Sequence, residues 1–192
     1  MVDNEISDRI SQGDIYKDIE IIEKAQEENG KLIIEKIKYP YVIVITQDCD
    51  LEQDNRVRKK KENKEKISDD KILLSVIVVP LYNSEHFKQG LHLSELNMEM
   101  QVYSRKDFQK ITQNVNPRYH YLEFSEEVSV VNSVIDFKHY FTVNRNYLEQ
   151  LKSNNICKVS ELFREQISHR FAHYLSRIGL PEIDGVTDDN NK

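Results

Sequence analysis

The sequence contains few of the residues that crosslink a chain or interrupt its helices and strands. Its 192 residues include two cysteines, four prolines, five glycines and no tryptophan. Cys49 and Cys157 do not form a CxxC pair, so neither a zinc knuckle nor a redox pair is indicated, and a reducing compartment fits. The glycine-rich phosphate-binding patterns and GxSxG are absent as well. We therefore expect no nucleotide hydrolysis and no cofactor.

Long hydrophobic runs are also missing. The longest include residues 41–45 and 76–79, far below the roughly 20 residues that a membrane helix needs. The first residues lack the basic start and apolar segment of a secretory signal. The sequence thus predicts a cytoplasmic protein without a membrane partner.

The composition is that of a folded protein on the polar side. There are 27 basic and 33 acidic residues, a formal charge of −6, with 39% hydrophobic and 31% charged residues. This length is enough for one large domain with a real core. We expect a single α+β domain over residues 1–181, with insertions at 54–70 and 82–117, and a flexible acidic tail at 182–192.

The strand signals come mainly from the first half of the chain. Asn29-Gly30 lies between two segments rich in β-branched residues and predicts a hairpin turn. Pro40 is expected to end the second segment, before an apolar run at 41–46 that predicts a central strand buried on both faces. The run at 72–79 predicts a neighbouring strand, ended by Pro80 because proline has no amide hydrogen to donate.

The insertion at 54–70 is strongly basic at its start. Residues 56–66 contain seven cations, and such a charge density predicts a mobile loop or a short solvated helix. A basic segment of this kind can neutralise phosphates without reading bases. The candidate nucleic-acid-binding residues are Arg56, Arg58, Lys59, Lys60, Lys61 and Arg118.

The C-terminal segment predicts an amphipathic helix that packs on the core. Its apolar residues recur at intervals of three and four, with Ser160 as N-cap and Gly179 just beyond the end. These apolar residues are Val159, Phe163, Ile167, Phe171, Tyr174, Leu175 and Ile178. His169 and His173 fall on the opposite face, which favours solvated or interface histidines over metal ligands.

The segment after the central strand could carry chemistry. Asp48, Cys49 and Asp50 place two carboxylates and a thiol where a strand should enter a loop. One interpretation is a catalytic site, with or without a metal, in which a histidine such as His120 acts as acid or base. The other is that Cys49 is a small buried residue while the aspartates cap a turn. Negative charge disfavours a thiolate, so a cysteine protease is poorly supported.

Five short segments, in this order, resemble the MazF/PemK toxin family. They are residues 13–15, 40–45, 78–81, 133–136 and 147–148, the last together with the later helix. The resemblance implies a small SH3-like β-barrel with long loop insertions and a packed C-terminal helix, and it makes a homodimer plausible. The ribonucleases of that family have an arginine just before the proline and a threonine after the second proline-bearing strand. Here Tyr39 precedes Pro40 and no threonine directly follows Pro80, so fold carries over more safely than activity.

The leading hypothesis is therefore a MazF-like barrel protein that binds RNA or DNA or acts in toxin-related defence. One alternative is an enzyme built on Asp48, Cys49, Asp50 and a histidine. The other is a non-catalytic module whose helix face at His169 and His173, together with its loop at 82–117, contacts a partner protein.

Overall fold

A computed structural model of the chain describes residues 2–3 and 7–177. The strands are β1 (Val2–Asp3), β2 (Asp14–Glu28), β3 (Lys31–Val44), β4 (Ser75–Pro80), β5 (Tyr82–Asn83), β6 (Tyr119–Leu122), β7 (Ser133–Asp136), β8 (Phe141–Asn144) and β9 (Asn155–Val159). The α-helices are α1 (Asp48–Glu62), α2 (Ser84–Lys88), α3 (Arg105–Thr112), α4 (Arg145–Gln150) and α5 (Glu161–Leu175). The predicted α+β class is confirmed. No helix within the described ranges is long and apolar enough to cross a membrane.

The strands form two antiparallel sheets. The larger has the order β1-β9-β2-β3-β4-β8, and the smaller has the order β5-β7-β6. Strands β3 and β4 pair directly, with Ile43 opposite Val79, so the predicted adjacency of the two apolar runs is confirmed. Over the residues described, β1 and β8 lie at opposite edges and do not pair. The large sheet is therefore open, and the closed barrel expected from the resemblance is not found.

The hairpin of β2 and β3 turns at the predicted residues. Asn29 and Gly30 have φ values of 51° and 72°, the left-handed pair that a two-residue hairpin turn requires. The expectation that Pro40 ends a strand is wrong, because β3 continues through it. Its neighbours Tyr39 and Tyr41 pair with Ile19 and Lys17 of β2, but Pro40 itself pairs with no residue of β2. Its missing amide hydrogen therefore costs no ladder hydrogen bond.

The large sheet is covered on both faces. Ile43 packs into a core cluster that includes Ile167 and Phe171 of α5. Val42 and Val44 point to a second cluster, which includes residues of α1 and α4. The central strand is thus buried on both faces, as its uninterrupted apolar run predicts. The predicted helix near the C-terminus is confirmed as α5, and Gly179 and the expected tail at 182–192 lie outside the described residues.

The first insertion is helical at its start and a loop at its end. Its helix, α1, begins at Asp48 and runs for 15 residues, burying Leu51, Asp54 and Val57 at three-residue spacing, so it is longer and more buried than predicted. Residues 63–70 contain no helix, in agreement with the predicted loop. Asp54 is 1% exposed and accepts hydrogen bonds from Arg58, Arg145 and the Leu73 amide. Charge-assisted hydrogen bonds of this kind hold the helix against the body.

The second insertion, predicted as irregular, contains α2 and α3 and contributes a third apolar cluster. Phe87, Leu93 and Ile111 from this segment pack against Tyr119 and Val134 of the small sheet. The segment is therefore an ordered part of the domain, and its first half forms one wall of the site described next.

Candidate functional site

An aromatic cavity lies between β3 and the segment that follows β4. Its volume is about 420 Å³, within the range of roughly 300–1,000 Å³ typical of small-molecule sites. Five of its lining residues carry rings that can stack on a planar ligand: Tyr39, Tyr41, Tyr82, His86 and His92. Its other lining residues are mostly apolar, with lysines at one side. Its walls come from three segments that are distant in sequence.

The sheet supplies the two tyrosines of one wall and fixes their rings. Tyr39 stacks on Phe141 of β8, with ring centroids 4.8 Å apart. The Tyr41 hydroxyl donates to the Ser129 carbonyl over 2.9 Å. Rings held in this way lose little additional freedom when a ligand packs against them.

The opposite wall begins at the N-terminus of α2. Asn83 caps this helix, because its Oδ1 accepts from the amides of Glu85 at 2.9 Å and His86 at 3.2 Å. The cap orients the Asn83 side chain and leaves its amide nitrogen able to donate elsewhere. His86 follows in the first turn with an exposed side chain.

His92 also lines the cavity and has unfilled hydrogen-bonding capacity, although both of its ring nitrogens are buried from solvent. Its ring stacks on Phe87 at 4.4 Å and lies 4.8 Å from the Tyr82 ring. Neither ring nitrogen has a hydrogen-bond partner among the residues described. Burial, with the charge of His139, lowers the pKa of His92 from 6.5 to about 4, so the ring is neutral at pH 7. A neutral imidazole offers one donor and one acceptor.

Behind the cavity, polar contacts lead from the Tyr82 hydroxyl through His139 to the buried carboxylate of Asp136. The Tyr82 hydroxyl lies 3.0 Å from Nδ1 of His139, and Nε2 of His139 lies 3.7 Å from Oδ2 of Asp136. Arg118 binds both oxygens of Asp136, at 2.8 and 2.5 Å. Burial raises the pKa of Tyr82 and lowers the pKa of His139 in spite of Asp136. Burial thus keeps Tyr82 protonated, and the contact with His139 orients its hydroxyl.

Two lysines lie at the side of the cavity on β3. Lys36 pairs with Glu20 at 3.1 Å and Lys38 pairs with Asp18 at 2.7 Å, with all four side chains exposed. Exposed pairs of this kind contribute little, because water and salt screen the two charges. An incoming anion can therefore compete for either lysine.

The structure does not bring Asp48, Cys49 and Asp50 together with His120. Asp48 and its two neighbours form the first turn of α1, whereas His120 lies on β6 and is 1% exposed. No hydrogen bond among the described residues joins His120 to any of the three. Burial, with the charge of Arg170, lowers the pKa of His120 to about 4. This histidine is a neutral residue of the interior.

Asp48 belongs neither to a catalytic site with His120 nor to a simple turn cap, the two interpretations of residues 48–50. Asp48 accepts from Arg9 at 3.1 and 2.7 Å and from the Gln12 amide at 3.1 Å, and Arg164 lies 3.8 Å away. Burial opposes its ionised form, but these partners outweigh burial and lower the pKa of Asp48. Cys49 is exposed, so its interpretation as a buried residue is wrong. The buried thiol is Cys157, whose pKa is raised by burial to about 11.

Most of the predicted nucleic-acid-binding cations have acidic partners. Arg56 pairs with Glu52, Arg58 with Asp54, Lys60 with Glu65 and Lys61 with Asp69. Of the five on α1, only Lys59 has no ion pair within the described chain. The helix contains five acidic and five basic residues, so it has no net charge, and Arg118 is committed to Asp136. Arg58 and Arg118 are therefore committed to the buried carboxylates of Asp54 and Asp136. The pairs of Arg56, Lys60 and Lys61 are exposed, so phosphates can still compete for these cations.

No group of three or more metal-ligating side chains is found in the described part of the chain. Glu165, His169 and His173 lie exposed on α5, on the face predicted from their spacing. The histidines that do converge are His92 and His139, on either side of Tyr82, with His86 on the cavity wall. Their scattered positions in the sequence contained no signal of this.

No family model matches the chain, and no curated protein matches it.

Proposed function

We propose that this chain binds single-stranded nucleic acid and takes one base into the aromatic cavity. The observation that carries the proposal is the set of rings around a cavity of about 420 Å³. Stacking of a base on an aromatic side chain contributes about 1–3 kcal/mol and tolerates any base, because every base has a π-face. Tyr39, Tyr41 and His86 supply such faces from two sides of the cavity.

Hydrogen bonding supports the same proposal. The amide nitrogen of Asn83 is a polar group of the cavity that makes no hydrogen bond among the described residues, while the unpartnered ring nitrogens of His92 lie buried behind the cavity surface. A base presents donors and acceptors at its edge, and a flipped or unpaired base is bound in this way. Lys36 and Lys38 on the adjoining strand would exchange their exposed carboxylate partners for backbone phosphates.

The resemblance to the MazF/PemK family also supports this proposal. Its strand segments at 40–45 and 78–81 lie largely in adjacent strands of one sheet, and we propose a distant relationship to an SH3-like barrel on that basis. Cleavage of RNA is not included in the proposal. Tyr39 stands where the family's ribonucleases have arginine, and its ring forms part of the cavity wall.

A binding measurement tests the proposal. Fluorescence anisotropy with a labelled single-stranded oligonucleotide should show binding that weakens as salt increases. His86→Ala should weaken binding about tenfold, because removing one stacking partner costs about 1–3 kcal/mol. The double substitution Lys36→Gln with Lys38→Gln should weaken binding and flatten its salt dependence.

Two sets of control variants match these changes. His173→Ala removes an exposed histidine from α5, and Lys24→Gln with Lys31→Gln neutralises two exposed lysines of the same hairpin that do not line the cavity. Neither should affect binding. If the control and cavity variants bind equally, or if the wild-type protein binds no single strand at low salt, the proposal is wrong.

A further inference from the structure

The wall of the cavity that faces β3 contains an acidic side chain, Glu95. Among the described residues that line the cavity, no other carboxylate is present. Glu95 is exposed, and it forms neither an ion pair nor a hydrogen bond with any described residue. The two lysines of the cavity are instead paired with Glu20 and Asp18. The carboxylate of Glu95 is therefore a hydrogen-bond acceptor that the described chain does not use.

The backbone that carries Glu95 is held in place by its neighbours. Glu95 is the middle residue of a 3₁₀ turn, Ser94–Leu96. Gly90, at the start of this segment, has a φ of 71°, and a Cβ atom there would lie 2.5 Å from the Met100 carbonyl oxygen, so only glycine fits. Leu93, directly before the turn, is buried in the third apolar cluster. The position of Glu95 on the cavity wall is thus fixed although its side chain is exposed.

A carboxylate on the wall discriminates between bases, which stacking does not. Aromatic rings stack on any base, so selection requires contacts with a base edge. A carboxylate offers two acceptor oxygens side by side. Guanine is the common base whose Watson–Crick edge has two adjacent donors, N1–H and N2–H. Adenine, cytosine and uracil place an acceptor beside each donor of that edge, and a carboxylate repels this acceptor.

We propose that the base taken into the cavity is guanine and that Glu95 selects it, an inference that rests on the proposed binding of single strands. The carboxylate of Glu95 accepts from N1–H and N2–H. The free amide hydrogens of Asn83, whose Oδ1 is occupied in capping α2, donate to O6. Charge orients the nucleotide in the same sense, because phosphates favour Lys36 and Lys38 on β3 while the donor edge of the base favours Glu95 on the other wall.

Binding of strands that differ in a single base tests the proposal. Fluorescence anisotropy is measured with short labelled oligouridylates that contain guanine, adenine, cytosine or inosine at the centre. Guanine should bind about tenfold more tightly than adenine or cytosine, which is the discrimination of one bidentate contact. Inosine lacks the N2 amino group and should bind less tightly than guanine. Guanosine monophosphate should displace the strand more effectively than adenosine monophosphate.

The substitution Glu95→Gln should reverse the preference. Its carboxamide offers one donor beside one acceptor, the pattern that pairs with adenine, so guanine should bind about tenfold more weakly and adenine more tightly. A merely structural role of Glu95 would weaken all strands alike. Asn83→Asp keeps an oxygen that caps α2 but replaces the donor by an acceptor, so it should weaken guanine and inosine equally.

Glu99→Gln is the matched control, because it makes the same change at an exposed glutamate that does not line the cavity. It should leave every affinity unchanged. Equal binding of all the strands, with the effect of His86→Ala retained, would overturn the selection of guanine and leave the proposed function standing. Equal effects of Glu95→Gln and Glu99→Gln would do the same. Binding of guanosine monophosphate but of no strand would support the guanine site and refute the proposed function, and a protein that binds neither would overturn both.

Discussion

Asp14 should make the protein less stable as the pH rises. This carboxyl is completely buried. Its Oδ2 accepts from the Ser11 amide at 2.7 Å, while Oδ1 has no partner among the described residues. Burial raises its pKa from 3.8 to about 7, against the lowering effects of the Ser11 amide and nearby cations. The folded protein therefore holds a proton that the unfolded chain releases.

The direction and size of the effect follow from this difference. Because the folded pKa is raised, the stabilising contribution is complete below pH 3.8 and is lost as the pH rises through 7. A pKa difference of about 3, at about 1.36 kcal/mol for each pH unit, corresponds to about 4 kcal/mol. The substitution Asp14→Asn keeps the shape of the side chain and one acceptor but removes the ionisable group. The variant's stability relative to the wild type should rise by about 4 kcal/mol between pH 4 and pH 8.

Urea unfolding at a series of pH values measures this difference. The free energies of unfolding of the two proteins should also differ by an amount that does not depend on pH, because the new amide hydrogens of the Asp14→Asn side chain are buried without an acceptor among the described residues. Only the part of this difference that changes with pH reports on the ionisation of Asp14. Asp48→Asn serves as the control, because the pKa of Asp48 is lowered and its stabilising contribution is lost only as the pH falls below 3.8. Parallel curves for Asp14→Asn and the wild type would refute the reasoning.

Three further outcomes are expected. Burial lowers the pKa of His120 from 6.5 to about 4, so its stabilising contribution is present above pH 6.5 and is lost as the pH falls through 4. The variant His120→Phe should therefore lose less stability than the wild type over this pH range. Equal losses in urea titrations would contradict this. Asp54→Ala should cost about 3–5 kcal/mol in the same assay, because two arginines lose their shared buried partner, and a cost below about 1 kcal/mol would show that water replaces it. A thiol reagent should label Cys49 in the native protein and Cys157 only on unfolding, whereas equal labelling rates would mean that the core around Cys157 opens readily.

The parts of the fold that follow local rules could be predicted from the sequence. Asn29-Gly30 specifies its turn by backbone conformation alone, and the periodicity of α5 reflects the one face that it buries. The apolar runs in β3 and β4 lie where both faces of the sheet are covered. Each of these signals is contained within a few neighbouring residues.

The length of α1 and its packing against the body could not be predicted, because its buried face includes a charge. Leu51, Asp54 and Val57 have helical spacing, but an aspartate in the middle makes the stripe resemble a solvated segment. Only the packing of Arg58 and Arg145 around Asp54 explains why a carboxylate is buried there. The dense cations that follow it reinforced the wrong interpretation.

The candidate site could not be predicted, because its parts meet only through tertiary structure. Tyr39 belongs to a strand, Tyr82 follows the next strand, and His92 lies beyond a short helix. Each histidine was recognisable as a titratable group, but nothing in the sequence showed which ones converge. His139 is placed behind Tyr82 by the turn after β7, a detail of backbone geometry that composition does not encode.

The large sheet pairs strands from the beginning and the end of the sequence, so it cannot be completed until nearly the whole chain has been synthesised. Ile15 pairs with Cys157, and the Gln12 side chain donates to Ser168. Arg170 of α5 binds the carbonyls of Asn114, Asn116 and Tyr119. During synthesis on the ribosome, β2 must therefore wait with one edge bare until about 140 further residues have emerged. Throughout that interval only the pairing of β2 with β3 protects the nascent strand, and its other edge is open to pairing with a neighbouring chain.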